Sequence, residues 1–165
     1  MEFREIALSE ITNDKKELLK HAFKVMKHAY NVYSGFYVGA AVKTKNGNIY
    51  TGTNMENASY GLSLCAEIAA IQTAISAGDP EIIMIALTAG SEKTTYDDIV
   101  LPCGRCRQII HECSRIASHD IEIICSNSDM SKLISTNISK LLPMAFNLKA
   151  NDAEIELYRL RISNK

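Results

Sequence analysis

No apolar run in the chain approaches the roughly 20 residues that a helix needs to cross a bilayer, which excludes a helical membrane protein. A dominant charge of one sign is also missing. Eighteen basic residues against 19 acidic ones leave a net charge of −1, with no basic stripe to track a phosphate backbone. Polymeric nucleic acid is therefore not an expected partner. Tryptophan is absent, and three prolines and eight glycines in 165 residues are too few for a collagen-like or low-complexity chain. No repeat or linker composition divides the sequence, so one domain over 1–165 is expected, long enough to bury a sizeable core. The start, Met1-Glu2-Phe3-Arg4-Glu5, lacks an apolar leader core, and the expected location is cytoplasmic.

What the chain does carry is five cysteines. An odd count without a leader argues for reduced thiols, and Cys113 and Cys125 read as small buried apolar residues. The other three form a split pattern: Cys65-Ala66-Glu67, then Pro102-Cys103-Gly104-Arg105-Cys106. Three thiolates are the right number for a zinc ion whose fourth position stays open to water, whereas structural sites use four protein ligands. Glu67, two residues from Cys65, is a carboxylate placed to move protons on and off that water, whose pKa the ion would bring to about 7. The pattern suggests hydrolysis.

Apolar periodicity predicts a helix over Asp14–Tyr30, with Asp14 and Glu17 as a capping box. Strands are expected over Phe36–Lys43 and Asn48–Asn54, joined through Lys45-Asn46-Gly47, since Asn-Gly is the strongest short hairpin signal. A helix over Ser63–Ala77 should stop at Gly78-Asp79-Pro80, and the apolar run Ile82–Leu87 fits a buried strand. Ser91–Asp98 reads as a surface loop, Pro102–Ala117 as a helix with Pro102 in its first turn, and Ile121–Cys125 as a short strand. From Ser126 to Lys140 turns and a short helix are expected, and the tail Ala153–Ile162 fits either helix or strand. This order implies an α/β protein whose mixed sheet lies between helices.

Both cysteine elements fall at predicted helix N-termini, where outward-pointing N–H groups and the macrodipole favour thiolates. Cys103 and Cys106 share one helix face. Two blander readings compete. Cys103 and Cys106 could be a redox pair, which makes Cys65 and Glu67 coincidental. A structural zinc site would need His111 or Cys113 as a fourth ligand. Otherwise His111, like His21, His28 and His119, is a helix-surface residue.

The uncoordinated Glu with Pro-Cys-x-x-Cys is the arrangement of zinc base deaminases. Residues 33–146 resemble the cytidine deaminases, of the small homotetrameric kind with three cysteine ligands. The likeness rests on Tyr33-Ser34-Gly35-Phe36, Val38-Gly39-Ala40-Ala41, Gly52-Thr53-Asn54-Met55-Glu56-Asn57-Ala58-Ser59-Tyr60-Gly61, the two cysteine elements, and Leu141-Leu142-Pro143-Met144-Ala145-Phe146. It implies a three-layer sandwich with about five strands, one zinc ion per subunit, and deamination of cytidine and deoxycytidine in pyrimidine salvage. By the same resemblance Asn54 and Glu56, with Asn57 beside them, bind the ribose, and the Ala66 N–H holds the pyrimidine carbonyl. Phe36 packs on the nucleoside, while Tyr60 and Phe146 reach a neighbouring subunit's site. An Asn and a Glu that pair a sugar hydroxyl discriminate strongly against ligands lacking it.

The chain departs from the family in two ways. Ile68 follows the catalytic Glu where Arg is usual, and Arg105 stands within the Cys-x-x-Cys where a small residue is common. Both features look like blasticidin S deaminases, so a deaminase of such an analogue is the alternative enzyme. A catalytically silent zinc nucleoside-binding protein is the alternative outside enzymes. Three thiolates and Zn²⁺ sum to −1, and Arg105 is the candidate to balance that charge. The second departure is Tyr37, where the family commonly has Pro, next to Phe36.

Overall fold

The computed structural model describes residues 5–93 and 98–163. Of the expected loop Ser91–Asp98, residues 94–97 lie outside the described ones, as do residues 1–4 of the N-terminus. Five strands form one sheet in the order β2-β1-β3-β4-β5. They are β1 (Phe36–Thr44), β2 (Ile49–Thr53), β3 (Ile82–Ser91), β4 (Glu122–Ser126) and β5 (Leu133–Asn137). Only β3 and β4 run parallel, joined by a crossover through helix α3 (Gly104–Ala117); the other pairs are antiparallel.

Period-two alternation sorts the core onto two faces. Ala40, Val42, Ile85, Leu87, Ile123 and Cys125 point to one face, packed with α2 (Ala66–Ser76) and α3. Ala41, Ala86 and Ile124 point to the other, under α1 (Asn13–Met26) with Leu18, Leu19 and Ala22. The result is the expected three-layer α/β sandwich. Two glycines permit the helices to lie close to the sheet. A Cβ on Gly39 would stand 2.0 Å from the Ala22 carbonyl oxygen, and one on Gly52 would stand 2.3 Å from the Ala70 nitrogen.

Element ends differ from expectation wherever distant pairing intervenes. Thr12, rather than Asp14, caps α1, accepting from the Lys15 N–H at 3.4 Å. That helix stops at Met26 because Tyr30 pairs in sheet fashion: its N–H donates to Asn54 O (3.1 Å) and its carbonyl accepts from Glu56 N (2.8 Å). Helix α2 begins at Ala66, not Ser63, because Leu64 and Met55 exchange two backbone hydrogen bonds of 2.9 Å that hold the chain extended up to Cys65. Pro102 precedes α3 and its N-cap Cys103, so it lies outside the first turn. Strand β3 runs four residues past Leu87, paired to β1 as far as Phe36, which makes Ser91 part of the sheet. Strand β5 was expected as turn and helix; the half-polar stretch Leu133-Ile134-Ser135-Thr136-Asn137 is drawn into the sheet by β4. It is followed by the short α4 (Ile138–Leu141), and the tail resolves as a helix, α5 (Asp152–Ser163).

The hairpin turn is tied to the end of α2 by one carboxylate. Asp79 accepts from Thr44 Oγ1 (2.6 Å), Asn46 Nδ2 (2.9 Å), Asn48 Nδ2 (2.8 Å) and Tyr50 OH (3.3 Å). Burial works to raise its pKa, but these donors outweigh it and hold the group below the usual carboxylate range. The hairpin whose distal end carries Asn54 is therefore anchored at its turn.

Candidate metal centre and substrate cavity

The extended backbone before α2 and α3 makes Cys65 and Cys103 the N-caps of the two helices, with φ, ψ of −78°, 150° and −65°, 167°. Cys106 follows one turn into α3, buried. The three sulfurs lie within 4.8 Å of one another, the one such group of three metal-ligating side chains among the described residues. Tetrahedral Zn–S bonds of about 2.3 Å put sulfurs roughly 4 Å apart, so the donor set fits zinc with little movement. Its charge fits as well. The Cys65 thiol is pulled down to about 6, first by its hydrogen bond with Cys106, while that same bond and burial hold Cys106 far above its ordinary value. Sulfurs this close share protons, and a divalent cation that replaces those protons lets all three become anionic.

The alternatives for a closed four-ligand site do not join the cluster. His111 Nε2 is bonded to Asn147 Oδ1 at 2.7 Å, and Cys113 is buried in the core, where desolvation pushes its thiol up to about 12. Cys125 is likewise buried.

Glu67 is the second residue of α2 and only 4% exposed. Its carboxyl lies within hydrogen-bonding reach of Cys106, and its charge acts on the sulfurs of Cys65 and Cys106. Burial raises its pKa above the usual carboxylate range, which suits a group that must hold a proton as well as accept one. Ala66, fully buried, opens α2, where the first N–H groups have no intrahelical acceptor.

A cavity of about 560 Å³ opens beside this cluster, lined by Cys65, Ala66, Glu67 and Cys103 together with Asn54, Glu56 and Tyr60. Apolar contributions from Val38, Leu87 and Leu101 complete a mixed surface of the kind that holds small organic ligands. A larger cavity of about 780 Å³ lies among α3, α4 and α5 and contains none of the sequence-predicted site residues.

Asn54 and Glu56 reach the cavity with much of their capacity already used. Asn54 Oδ1 accepts from Val38 N (2.8 Å) and its Nδ2 donates to Phe36 O (3.0 Å), which leaves one N–H and one lone pair for a ligand. Glu56 Oε2 accepts from Tyr33 N (2.9 Å) and Ser34 N (3.2 Å), while Oε1 accepts from the Ser34 hydroxyl. A carboxylate offers about four lone-pair directions, so about one remains, on Oε1. The Ser34 hydroxyl foremost, and then the two N–H donors against the opposing effect of desolvation, keep Glu56 below the ordinary carboxylate range.

The structure does not bring every predicted residue to this cavity. Phe36 is half-buried in β1 and is not among the lining residues. Asn57 turns its side chain back to accept from Ser59 N at 2.8 Å. Phe146 lies on another face, 68% exposed, its backbone held by both ends of the Gln108 amide at 2.9 and 3.2 Å. Tyr37 faces α1 across the sheet; a Cβ on its partner Gly90 would meet its ring at 2.8 Å, so it does not shape the cavity. Arg105 sits exposed in the first turn of α3, and its charge helps lower Cys65. Tyr33 and Ser34 line the cavity although neither was singled out; their place in the Tyr33-Ser34-Gly35-Phe36 motif was the available signal.

Three thiols at two helix N-termini, with a buried carboxyl beside them, could hold one metal ion and leave its fourth position open. The cytidine and deoxycytidylate deaminase zinc-binding region matches residues 12–119 of the chain. The cytidine deaminase of Halalkalibacterium halodurans is 38% identical over 135 residues, 81% of this chain and 94% of that protein. The crystal structure of cytidine deaminase from Burkholderia pseudomallei superposes with a TM-score of 0.70 at 35% identity, covering 82% of this chain and all of that one (100%). Blasticidin-S deaminase of Bacillus cereus is 29% identical over 146 residues, 87% of this chain and 92% of that protein. The chain belongs to the zinc-binding family of cytidine and deoxycytidylate deaminases. No helix among the described residues is long and apolar enough to cross a membrane.

Proposed function

We propose that this protein hydrolyses cytidine and deoxycytidine to uridine and deoxyuridine with release of ammonia. The observation that carries this reading is the buried Glu67 carboxyl against the three-sulfur cluster, at one cavity with Asn54 and Glu56. Zinc held by Cys65, Cys103 and Cys106 supplies a Lewis acid that acidifies water at the site. Glu67 moves one proton of the attacking water to ring N3 as the C4–O bond forms. It then moves the second, from the new C4 hydroxyl, to the exocyclic amine, so that the C4–N bond breaks, C4=O forms and ammonia leaves. The Ala66 N–H holds the pyrimidine carbonyl, and the free lone pair of Glu56 with the free amide groups of Asn54 receives the sugar hydroxyls. The Phe36 carbonyl holds the Asn54 amide from behind, and Asn57 fixes the turn that follows through Ser59. Turnover of cytidine, deoxycytidine, CMP, cytosine and blasticidin S by zinc-loaded protein, followed by ultraviolet absorbance, tests the reading. Absence of turnover for both cytidine and deoxycytidine overturns it.

Arg105 is the charge-balancing residue. A cation in the first turn of a helix opposes the macrodipole, so its placement there makes electrostatic sense only beside the anionic sulfurs. Arg105→Ala is expected to weaken zinc affinity roughly tenfold, the usual scale for groups just outside the ligand set, measured by competition with a chelator. An unchanged affinity sinks that role.

The active form is a homotetramer with shared sites. Met144 at 93% and Phe146 at 68% exposure present apolar side chains to solvent on a segment tied to α3 through Gln108 and the Phe146 backbone, as residues inserted into a neighbour would be. Phe146→Ala should lower activity several-fold, and dilution to monomer in the sedimentation cell should abolish it; an active monomer refutes the shared site.

A further inference from the structure

The turn at Tyr33, Ser34 and Gly35 forms one wall of the cavity and is gripped from two sides. From the cavity side, Glu56 accepts from both N–H groups and from the Ser34 hydroxyl. From outside comes Lys93, just beyond the end of β3. Its ammonium donates to Tyr33 O at 2.7 Å, and its hydrocarbon stem lies over Gly35, where a Cβ would come within 2.9 Å of Cγ, Cδ and Cε. Gly35 has φ of +70°, so a glycine serves both the turn and the close approach. Two further bonds hold the lysine in register: Glu92 N to Gly35 O at 3.0 Å, and Lys93 N to Ser91 Oγ at 3.2 Å.

The decisive detail is that one peptide group links cation and carboxylate. The carbonyl of Tyr33 and the N–H of Ser34 belong to the same peptide. The lysine ammonium therefore polarises the unit whose opposite end donates to Glu56 Oε2 at 3.2 Å. Removing the ammonium weakens that donor and loosens the turn, and the carboxylate loses its fixed aim toward the cavity. We propose that Lys93 is a positioning residue that acts through the Tyr33–Ser34 peptide to hold Glu56 in place, and so sets how strongly the site selects nucleosides bearing sugar hydroxyls. The proposal rests on Glu56 being the sugar-binding carboxylate. Lys93 itself touches no substrate and takes no part in proton transfer.

The test measures kcat and KM for cytidine and for 2′,3′-dideoxycytidine in wild type, Lys93→Met, Lys93→Arg, Glu56→Gln and the Lys93→Met/Glu56→Gln double variant. Methionine keeps an unbranched stem over Gly35 and removes only the charge. Lys93→Met is expected to raise KM for cytidine roughly fivefold with kcat within about twofold, the scale of a partly exposed charge-assisted contact. The cytidine-to-dideoxycytidine ratio of kcat/KM should fall by the same factor. Lys93→Arg should restore most of it, and Lys93→Met should cost nothing further once Glu56 is Gln. An equal loss for both nucleosides, or no loss, overturns the role of Lys93 while leaving that of Glu56 standing. If Glu56→Gln itself leaves the ratio unchanged, the reading of Glu56 fails and the role of Lys93 falls with it. Thermal midpoints of the variants confirm that folded protein is compared.

Discussion

Glu67→Gln is expected to keep zinc bound and to lose about 10³-fold in kcat, the scale of a positioned proton carrier. The three sulfurs that would hold the ion do not depend on the carboxylate, and glutamine is close to its shape, so the metal content should match wild type. The amide can neither accept the proton of the attacking water nor deliver one to ring N3 or to the departing amine, so both transfers fail together. Stability should move the other way. Burial raises the folded-state pKa of Glu67 above its unfolded value. The stabilisation associated with such a shift is present at acid pH and is lost as pH rises through the folded pKa. As pH rises through that folded pKa wild type loses this stabilisation and the glutamine variant does not, so Glu67→Gln should melt no lower than wild type on the alkaline side. Rate and zinc content are measured on one preparation, with a thermal midpoint beside them. A variant that keeps its zinc and retains activity within tenfold of wild type removes the proton-carrying role from Glu67.

How far the site could be read from the sequence depended on which residues carry their chemistry with them. Cys65, Cys103, Cys106 and Glu67 did, because a thiolate trio with a spare carboxylate has few uses, and the structure gathers the three sulfurs within 4.8 Å. The helix starts that present them were read less well. The sequence pattern carried α2 back to Ser63, since nothing local reveals that Leu64 pairs with Met55 nine residues earlier. That pairing is what leaves Cys65 extended at the helix cap. Strand β5 was missed for a related reason: Ser135, Thr136 and Asn137 alternate poorly, and only the adjacent β4 makes them a strand. Lys93 illustrates the limit most clearly, being an exposed lysine 37 residues beyond Glu56, tied to it only through the fold. Residues that act through a shared peptide leave no mark on composition or periodicity.

Gly52 is where fold and chemistry meet, and Gly52→Ala is expected to damage both. The added methyl would stand 2.3 Å from the Ala70 nitrogen and 2.7 Å from the Ala69 carbonyl carbon, and these are main-chain atoms of α2 that cannot rotate away. Relief requires α2 to move off the sheet. Overpacking of this kind costs roughly 3 kcal/mol or more when backbone must shift. For a chain of this size that is about 10 °C in melting temperature. The same helix begins at Cys65 and Ala66 and carries Glu67 in its first turn, so the displacement also spreads the sulfur cluster and turns the carboxyl away. Zinc retention should therefore fall along with stability, unlike the outcome for Glu67→Gln. Gly61→Ala is the control: no atom lies within 4 Å of the added carbon and its φ is not positive, so stability should change by less than about 0.5 kcal/mol. Melting temperature and zinc stoichiometry of the two variants decide the matter. If Gly52→Ala melts within a degree or two of Gly61→Ala and keeps full zinc, then α2 has room to spare and the sheet does not fix the position of Glu67.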